Sequence, residues 1–353
     1  MEGITMRLSK ALPVACALVT ALVATACGSN SDTAGGQQQG SDKGSSQSQA
    51  EASELAKRLG IPEVKGASGD SYVFLPKSLD NPYWDDARKG MEEAAGRLGV
   101  TAEFLGPQTT DVGQQVQIFE AALARKPKGI AISPNDPNSV QATIAKAREQ
   151  GINVIAWDSP VPNSQVQGYI GTDNTTAGRT FGENLIKEIG GKGKIAVIVG
   201  SLGAVNSQQR LTGLKDALAT SPEVELVATE ESNDSIATAA SKTEAILSAH
   251  PDIAAIVGIN AGDAPGAATA LQQSNRCGKV KVAGFDAIQQ SRDLMRTGCV
   301  QLLVSQRPYG MTAAALQMLV AMTANQPPAT TELDTGVVAI TQANLAEFEK
   351  TTA

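Results

Sequence analysis

Residues 102–134 read AEFLGPQTTDVGQQVQIFEAALARKPKGIAISP. Two short apolar runs, AEFLG and GIAISP, flank a segment in which Val116, Phe119 and Leu123 recur at spacings of three and four. That period marks one face of a helix, and short apolar runs bounded by turn residues mark strands. A strand, a helix and a second strand in this order predict a parallel pair joined by a crossover. The same rhythm runs outward from residue 71. YVFLP, NVIAWD, KIAVIVG, VELVAT, IAAIVGIN, VKVAGFD and VQLLVSQ join AEFLG and GIAISP as strand candidates, separated by helical patterns of roughly a dozen residues. So many strands strain a single open sheet. The count divides into two doubly wound α/β lobes with parallel sheets, and GYIGTDNTTAG (168–178) stands at the join.

A chain of 353 residues with 42% hydrophobic content can bury a large core. Its formal net charge of −7 lacks the basic footprint that a phosphate backbone requires, so nucleic acid is not an expected partner. The single histidine, His250 in SAHPD, stands beside a helix end and reads as a cap or surface residue. No histidine or cysteine cluster has metal-ligand spacing, and GGKGK lacks the Walker spacing, so neither metal nor cofactor is expected.

The N-terminus reads as an export signal over residues 1–26. Arg7 and Lys10 precede the uncharged run ALPVACALVTALVATA, which ends in small residues before Cys27. Ala24, Thr25 and Ala26 ahead of that cysteine resemble a bacterial lipobox, so Cys27 is the expected lipidation site and the protein is expected on the outer face of the cell membrane. The Gly/Ser/Gln-rich stretch after it predicts a flexible tether over residues 27–69, with the folded part beginning near Ser71. Cys16 would leave with the signal. Cys277 and Cys299 remain, each just before a strand-like run, and an even pair in an exported domain predicts a disulfide.

In doubly wound sheets ligands bind outside the carboxyl ends of the strands. Lys77, Asp80, Asn81, Tyr83 and Trp84 follow the first run, and Asp158 follows the fourth. Asn206 and Arg210 come after IAVIVG, Asn260 after IAAIVGI, Asp286 after VAGF and Gln306 after VQLLVS. Any one of these could simply cap a helix or a turn. Together they place planar donors and acceptors at six strand ends. Carboxylates, amides and guanidinium can each grip neighbouring hydroxyls, and the Tyr83–Trp84 pair, in a chain with only 3% aromatic residues, offers a flat wall for apolar C–H surface. This chemistry suits a neutral polyol. Asp158 and Asp286 could instead form a glycosidase pair, but hydrolysis would leave Arg210, Asn260 and Gln306 without a role, so an enzyme is not expected.

SLDNPYW resembles the opening motif of the bacterial periplasmic sugar-binding family of the ribose-binding type. GINVIAWD, GTDN, IVGINAGDAPGA, VKVAGFD and VSQRP follow in that family's order over roughly residues 70–340. The resemblance implies two lobes joined by a multi-strand hinge: 70–172 with 307–332, and 173–306 with 333–353. It also implies a monomer that delivers a monosaccharide or sugar alcohol to an ABC importer permease. Carried over by position, Asn81, Tyr83, Trp84 and Asp158 match first-lobe ligand contacts; Arg210, Asn260, Asp286 and Gln306 match second-lobe and hinge contacts. Asn206 stands where the family places other pocket-facing residues. Lys77 and Ser159 depart from members that bind ribose, which carry a small hydroxyl residue and an arginine there. PK with WDS is more similar to the rhamnose and autoinducer-2 branch, and pentose, hexose, deoxyhexose and sugar alcohol all remain open. Two other roles share this fold. A sugar sensor would present its ligand to a membrane receptor, and a sugar-responsive repressor would need an N-terminal helix-turn-helix in place of the signal and tether.

Overall fold

The computed structural model describes residues 39–352, with side chains from 48 to 350. The expected signal segment and Cys27 lie outside the described residues. All nine expected runs form strands. One sheet holds β1 (Ser71–Leu75), β2 (Thr101–Phe104), β3 (Gly129–Ile132), β4 (Asn153–Trp157) and β5 (Tyr169–Gly171). The other holds β6 (Gly193–Val199), β7 (Val224–Glu231), β8 (Ile253–Gly258), β9 (Lys281–Phe285) and β10 (Leu302–Ser305). Two short strands, β11 (Glu332–Asp334) and β12 (Val338–Thr341), complete the edges, giving the orders β11-β5-β4-β3-β1-β2 and β12-β10-β9-β8-β6-β7. Every pairing is parallel except β10 with β12.

The burial pattern explains the continuous apolar runs. Helices cover both faces of each sheet, so the interior strand β3 has every residue buried, whereas the edge strand β2 alternates between exposed and half-buried. Helix starts are set by side-chain caps: Asp111, Asp136, Asp173 and Ser235 each accept the N–H three residues on. His250 is the C-cap of helix Ile236–Ala249, as its sequence context predicts.

The chain passes between the sheets three times: after β5, after β10, and between β11 and β12. Helix Pro308–Thr323 follows β10 yet packs on the first sheet, burying Met311, Leu316 and Leu319 there. Cys277 and Cys299 are joined by a disulfide with a Cα–Cα separation of 4.7 Å. It ties together the segments that lead into the parallel neighbours β9 and β10.

The expected flexible tether is corrected over part of its length. Residues Gln39–Arg58 form a helix, and the chain is folded well before Ser71. Ala52, Leu55, Ala56 and Leu59 recur at helical spacing and are buried against the first lobe's core. Gln49 donates to Glu93 at 2.6 Å, and Glu51 pairs with Arg307. The polar composition of residues 39–49 hid this helix, because its stability comes from tertiary packing of one apolar stripe rather than from local propensity.

Candidate functional site

The carboxyl ends of both sheets face one small, partly open cleft. Ten of the eleven strand-end residues line it: Lys77, Asn81, Tyr83, Trp84 and Asp158 from the first lobe, and Asn206, Arg210, Asn260, Asp286 and Gln306 from the second lobe and the hinge, whereas Asp80 is exposed outside it. Two more join them, Asp234 and Ala261.

In the first lobe, Tyr83 and Trp84 occupy the first turn of helix Tyr83–Leu98, and their rings meet edge to face at 4.8 Å. Trp84 is braced in turn by Trp157 at 5.4 Å. Asn81 has a mixed role, since its Oδ1 accepts the Tyr83 N–H at 3.0 Å and so helps start the helix. Asp158 is held from three sides. The Tyr83 hydroxyl donates to its Oδ1 at 2.9 Å, the Ser133 hydroxyl donates to its Oδ2 at 2.6 Å, and Lys77 Nζ lies 3.6 Å from Oδ2. Behind them, buried Gln115 donates to the carbonyls of Pro76 and Ser133 and accepts the Asn135 N–H, which locks the ends of β1 and β3 together. Burial, reinforced by Asp158 and Asp286, pushes the Tyr83 hydroxyl far above its ordinary range, so it acts only as a neutral donor.

In the second lobe, Arg210 is 1% exposed and rigidly held. Its Nε donates to Asn174 Oδ1 at 2.9 Å, its Nη1 donates to the Ile259 carbonyl at 3.0 Å, and its guanidinium lies 4.4 Å over the Phe285 ring. Its Nη2 is buried and has no acceptor among the described residues. Asn260 Oδ1 accepts the Gly200 N–H at 2.9 Å and the Ser207 hydroxyl at 3.2 Å, and its Nδ2 donates to no described residue. Gln306 donates to Asp286 at 3.1 Å and accepts the Thr172 hydroxyl at 3.0 Å, so the first two chain crossings share one hydrogen-bond chain with a site carboxylate. Burial raises the Asp286 carboxyl to about 6, although Arg210 and Gln306 pull it down. Behind the site, burial and the nearby Asp234 raise the Asp263 carboxyl to about 8.

Backbone strain concentrates here. Asp158, Asp234 and Asp286 have φ of 59°, 57° and 63°, the left-handed region, and they are the only aspartates in it among the described residues. Each conformation costs on the order of 1–2 kcal/mol. The three carboxylates at the strand ends are therefore set by one shared backbone device. Asp234 escaped the sequence reading because VELVAT stops short of the end of β7, which continues to Glu231. The residue pair Asn233–Asp234 just beyond, both suited to φ > 0, was the available signal.

The arrangement offers two cations, three carboxylates and several amides around a small volume walled on one side by aromatic rings. Such a site can orient and desolvate a small polyhydroxylated molecule. The ion pair Lys77–Asp158 and the bonds of Asp286 to Gln306 orient the two carboxylates as acceptors.

Comparison with known proteins agrees with this geometry. A family model described as "Periplasmic binding protein domain" matches residues 72–327. The D-allose-binding periplasmic protein of Escherichia coli is 29% identical over 258 residues, covering 70% of this chain and 83% of that one. Among solved structures, an ABC transporter solute-binding protein from Burkholderia graminis in complex with D-arabinose shares 36% identity at a TM-score of 0.77, covering 80% of this chain and 98% of that one. A glucose-galactose binding protein from Geobacillus stearothermophilus shares 32% identity at a TM-score of 0.75, covering 79% and 99%. These relatives are binding proteins rather than enzymes. The matched span, the two parallel-sheet lobes and the residues gathered between them agree: the chain belongs to the periplasmic binding protein family, among its sugar-binding members of the ribose-binding type.

Proposed function

We propose that this chain is an exported, lipid-anchored receptor that captures a neutral monosaccharide or sugar alcohol between its lobes and delivers it to an ABC importer. The observation that carries this reading is Arg210 Nη2, a buried charged donor without an acceptor among the described residues, on the wall of a polar cleft. Leaving such a donor unpaired costs about 1–3 kcal/mol or more, and a sugar oxygen would satisfy it. Lys77, Asn81, Asp158, Asn206, Asn260, Asp286 and Gln306 supply further hydroxyl partners, while Tyr83 and Trp84 cover an apolar ring face. The relatives bind D-allose, D-arabinose, glucose or galactose by name, which supports the ligand class without choosing a member.

The anchor rests on residues 1–27, where the basic start, the apolar run and the small residues before Cys27 form the export and lipidation signal. Thermal denaturation across pentoses, hexoses and alditols tests capture, because a bound ligand stabilises the folded state by mass action. At least one member should raise the unfolding temperature, and a flat response across the panel would refute the reading. For the anchor, Cys27→Ser should release the protein from the membrane fraction.

A further inference from the structure

The walls of the sugar space differ in kind. Its aromatic lining consists of Tyr83 and Trp84, both from the first lobe. The second lobe presents Asn206, Arg210, Asp234 and Asn260, with Ala261 as its apolar member. Phe285, a second-lobe ring close by, does not line the space. Its face is covered by the Arg210 guanidinium at 4.4 Å and it packs against Phe181 at 5.1 Å.

Asp234 is a built part of that polar wall. Its backbone shares the left-handed conformation of Asp158 and Asp286, and its N–H donates to the Gly200 carbonyl at 3.1 Å. Gly200 clears the room: a Cβ there would stand 2.1 Å from Asp234 Oδ1 and 2.7 Å from Asn260 Cγ. Among the described residues nothing donates a hydrogen bond to the Asp234 carboxylate. It shares with the Arg210 Nη2 on the same wall the lack of a protein hydrogen-bond partner, although Arg210 is fully buried and Asp234 is half-buried.

We infer that Asp234 is a ligand-contacting, specificity-determining residue, and that the preferred ligand is a ring sugar with an axial hydroxyl turned toward the second lobe. This rests on the sugar-binding reading of the site. A ring with all hydroxyls equatorial has two apolar C–H faces and suits a pocket with aromatic rings on both sides. Here one such face would meet Tyr83 and Trp84 while the other pressed on Asp234 and Arg210, leaving both unpaired. An axial hydroxyl on that second face donates to the carboxylate and accepts from the guanidinium.

The test is titration calorimetry of the full chain with D-xylose and D-glucose against their single-carbon epimers D-ribose, D-allose and D-galactose, repeated on Asp234→Asn and Asp234→Ala. The parent should bind at least one axial epimer about tenfold or more tighter than its all-equatorial counterpart, the worth of one hydrogen bond to a charged group. Both variants, checked for an unchanged ligand-free unfolding temperature, should lose that preference through weaker binding of the axial epimer. Preference for the all-equatorial sugars, or variants that keep the parent's ratio, would overturn the inference and leave the sugar-binding reading standing. Absence of binding to any sugar would overturn both. If Asp234→Ala is destabilised, the near-isosteric Asp234→Asn alone decides.

Discussion

Lys77 Nζ, just past the first strand of one lobe, donates to Asn206 Oδ1 in the other lobe at 2.8 Å, although 129 residues separate them in the chain. Lys77 also lies 3.6 Å from Asp158, so one ammonium group joins the cross-lobe contact to a site carboxylate. Both side chains line the cleft. Lobe approach and ligand recognition are thereby written on the same atoms.

Asn206→Ala removes the cross-lobe acceptor while leaving the Lys77–Asp158 pair. A bond that exists only with the lobes together contributes to closure and not to the stability of either lobe. Sugar affinity should fall about tenfold, as for one hydrogen bond from a charged donor. The ligand-free unfolding temperature should stay near the parent's. Calorimetric titration and thermal denaturation check the two halves separately, and an unchanged affinity would remove the bond from the binding energetics.

Sugar binding should weaken in acid. A hydroxyl donates more strongly to the Asp286 carboxylate when the latter is ionised, and burial raises that group's pKa to about 6. Protonation below that value replaces a charge-assisted bond with a weaker neutral one, so affinity should be up to about tenfold lower at pH 5 than at pH 7.5. Asp286→Asn should bind weakly at both values with a flattened profile. Titrations at the two pH values with parent and variant decide this.

Stability should respond to Asp263 in the opposite direction from that of an ordinary surface carboxylate. Its pKa is raised to about 8, so the folded state holds a proton that the unfolded chain releases near the ordinary carboxyl value of 3.8. That contribution is fully present below about pH 4 and is lost as pH rises through about 8. Asp263→Asn imitates the protonated form: its Oδ1 can accept the Asn260 N–H and its Nδ2 can donate to the Ser232 hydroxyl, replacing the bonds of 2.9 and 2.6 Å. The variant's unfolding temperature should therefore fall less than the parent's between pH 5 and pH 8. Parallel curves would show that Asp263 is ionised in the fold.

Reducing the Cys277–Cys299 disulfide should cost stability and leave recognition intact. The bridge spans 22 residues, which corresponds to about 3 kcal/mol in the loop-closure model. It lies where β9 and β10 begin, whereas the ligand space lies where they end. Mass spectrometry of the mature protein should find the pair two hydrogens light. A reductant, or Cys277→Ser with Cys299→Ser, should lower the unfolding temperature without changing sugar affinity once the protein is folded. A loss of affinity in folded protein would contradict this separation.

Much of this molecule was legible before any coordinates, for a definite reason. Strands buried on both faces must be continuously apolar, so β1, β3, β4, β6, β8, β9 and β10 declare themselves, and whatever follows them faces the cleft. The rule failed where burial is incomplete. β7 is half-buried along much of its length, its polar end ELVATEE blurs the boundary, and Asp234 beyond it was missed. The short strands β11 and β12 carry too few residues for a periodic signal and exist through pairing with the sheet edges. The helix Gln39–Arg58 was hidden differently. Its Ala52, Leu55, Ala56 and Leu59 stripe is readable only once a surface is known to receive it, and Leu55 meets Gly310 of a helix more than two hundred residues later.

That helix assigns unequal mechanical parts to the two halves of the receptor. Leu55 and Ala56 pack into the first-lobe core, Gln49 grips Glu93 of the first lobe, and Arg58 donates to the carbonyl of Asp334 in β11, the edge strand of the same sheet. Any load carried along the chain from its N-terminal side is therefore borne by the first lobe, which becomes the stator. The second lobe, joined to it covalently through the three crossings and by contacts such as Lys77–Asn206, is the rotor. Under the proposed anchoring, a permease that meets the receptor would find one half fixed in orientation and would read ligand occupancy from the angle of the other.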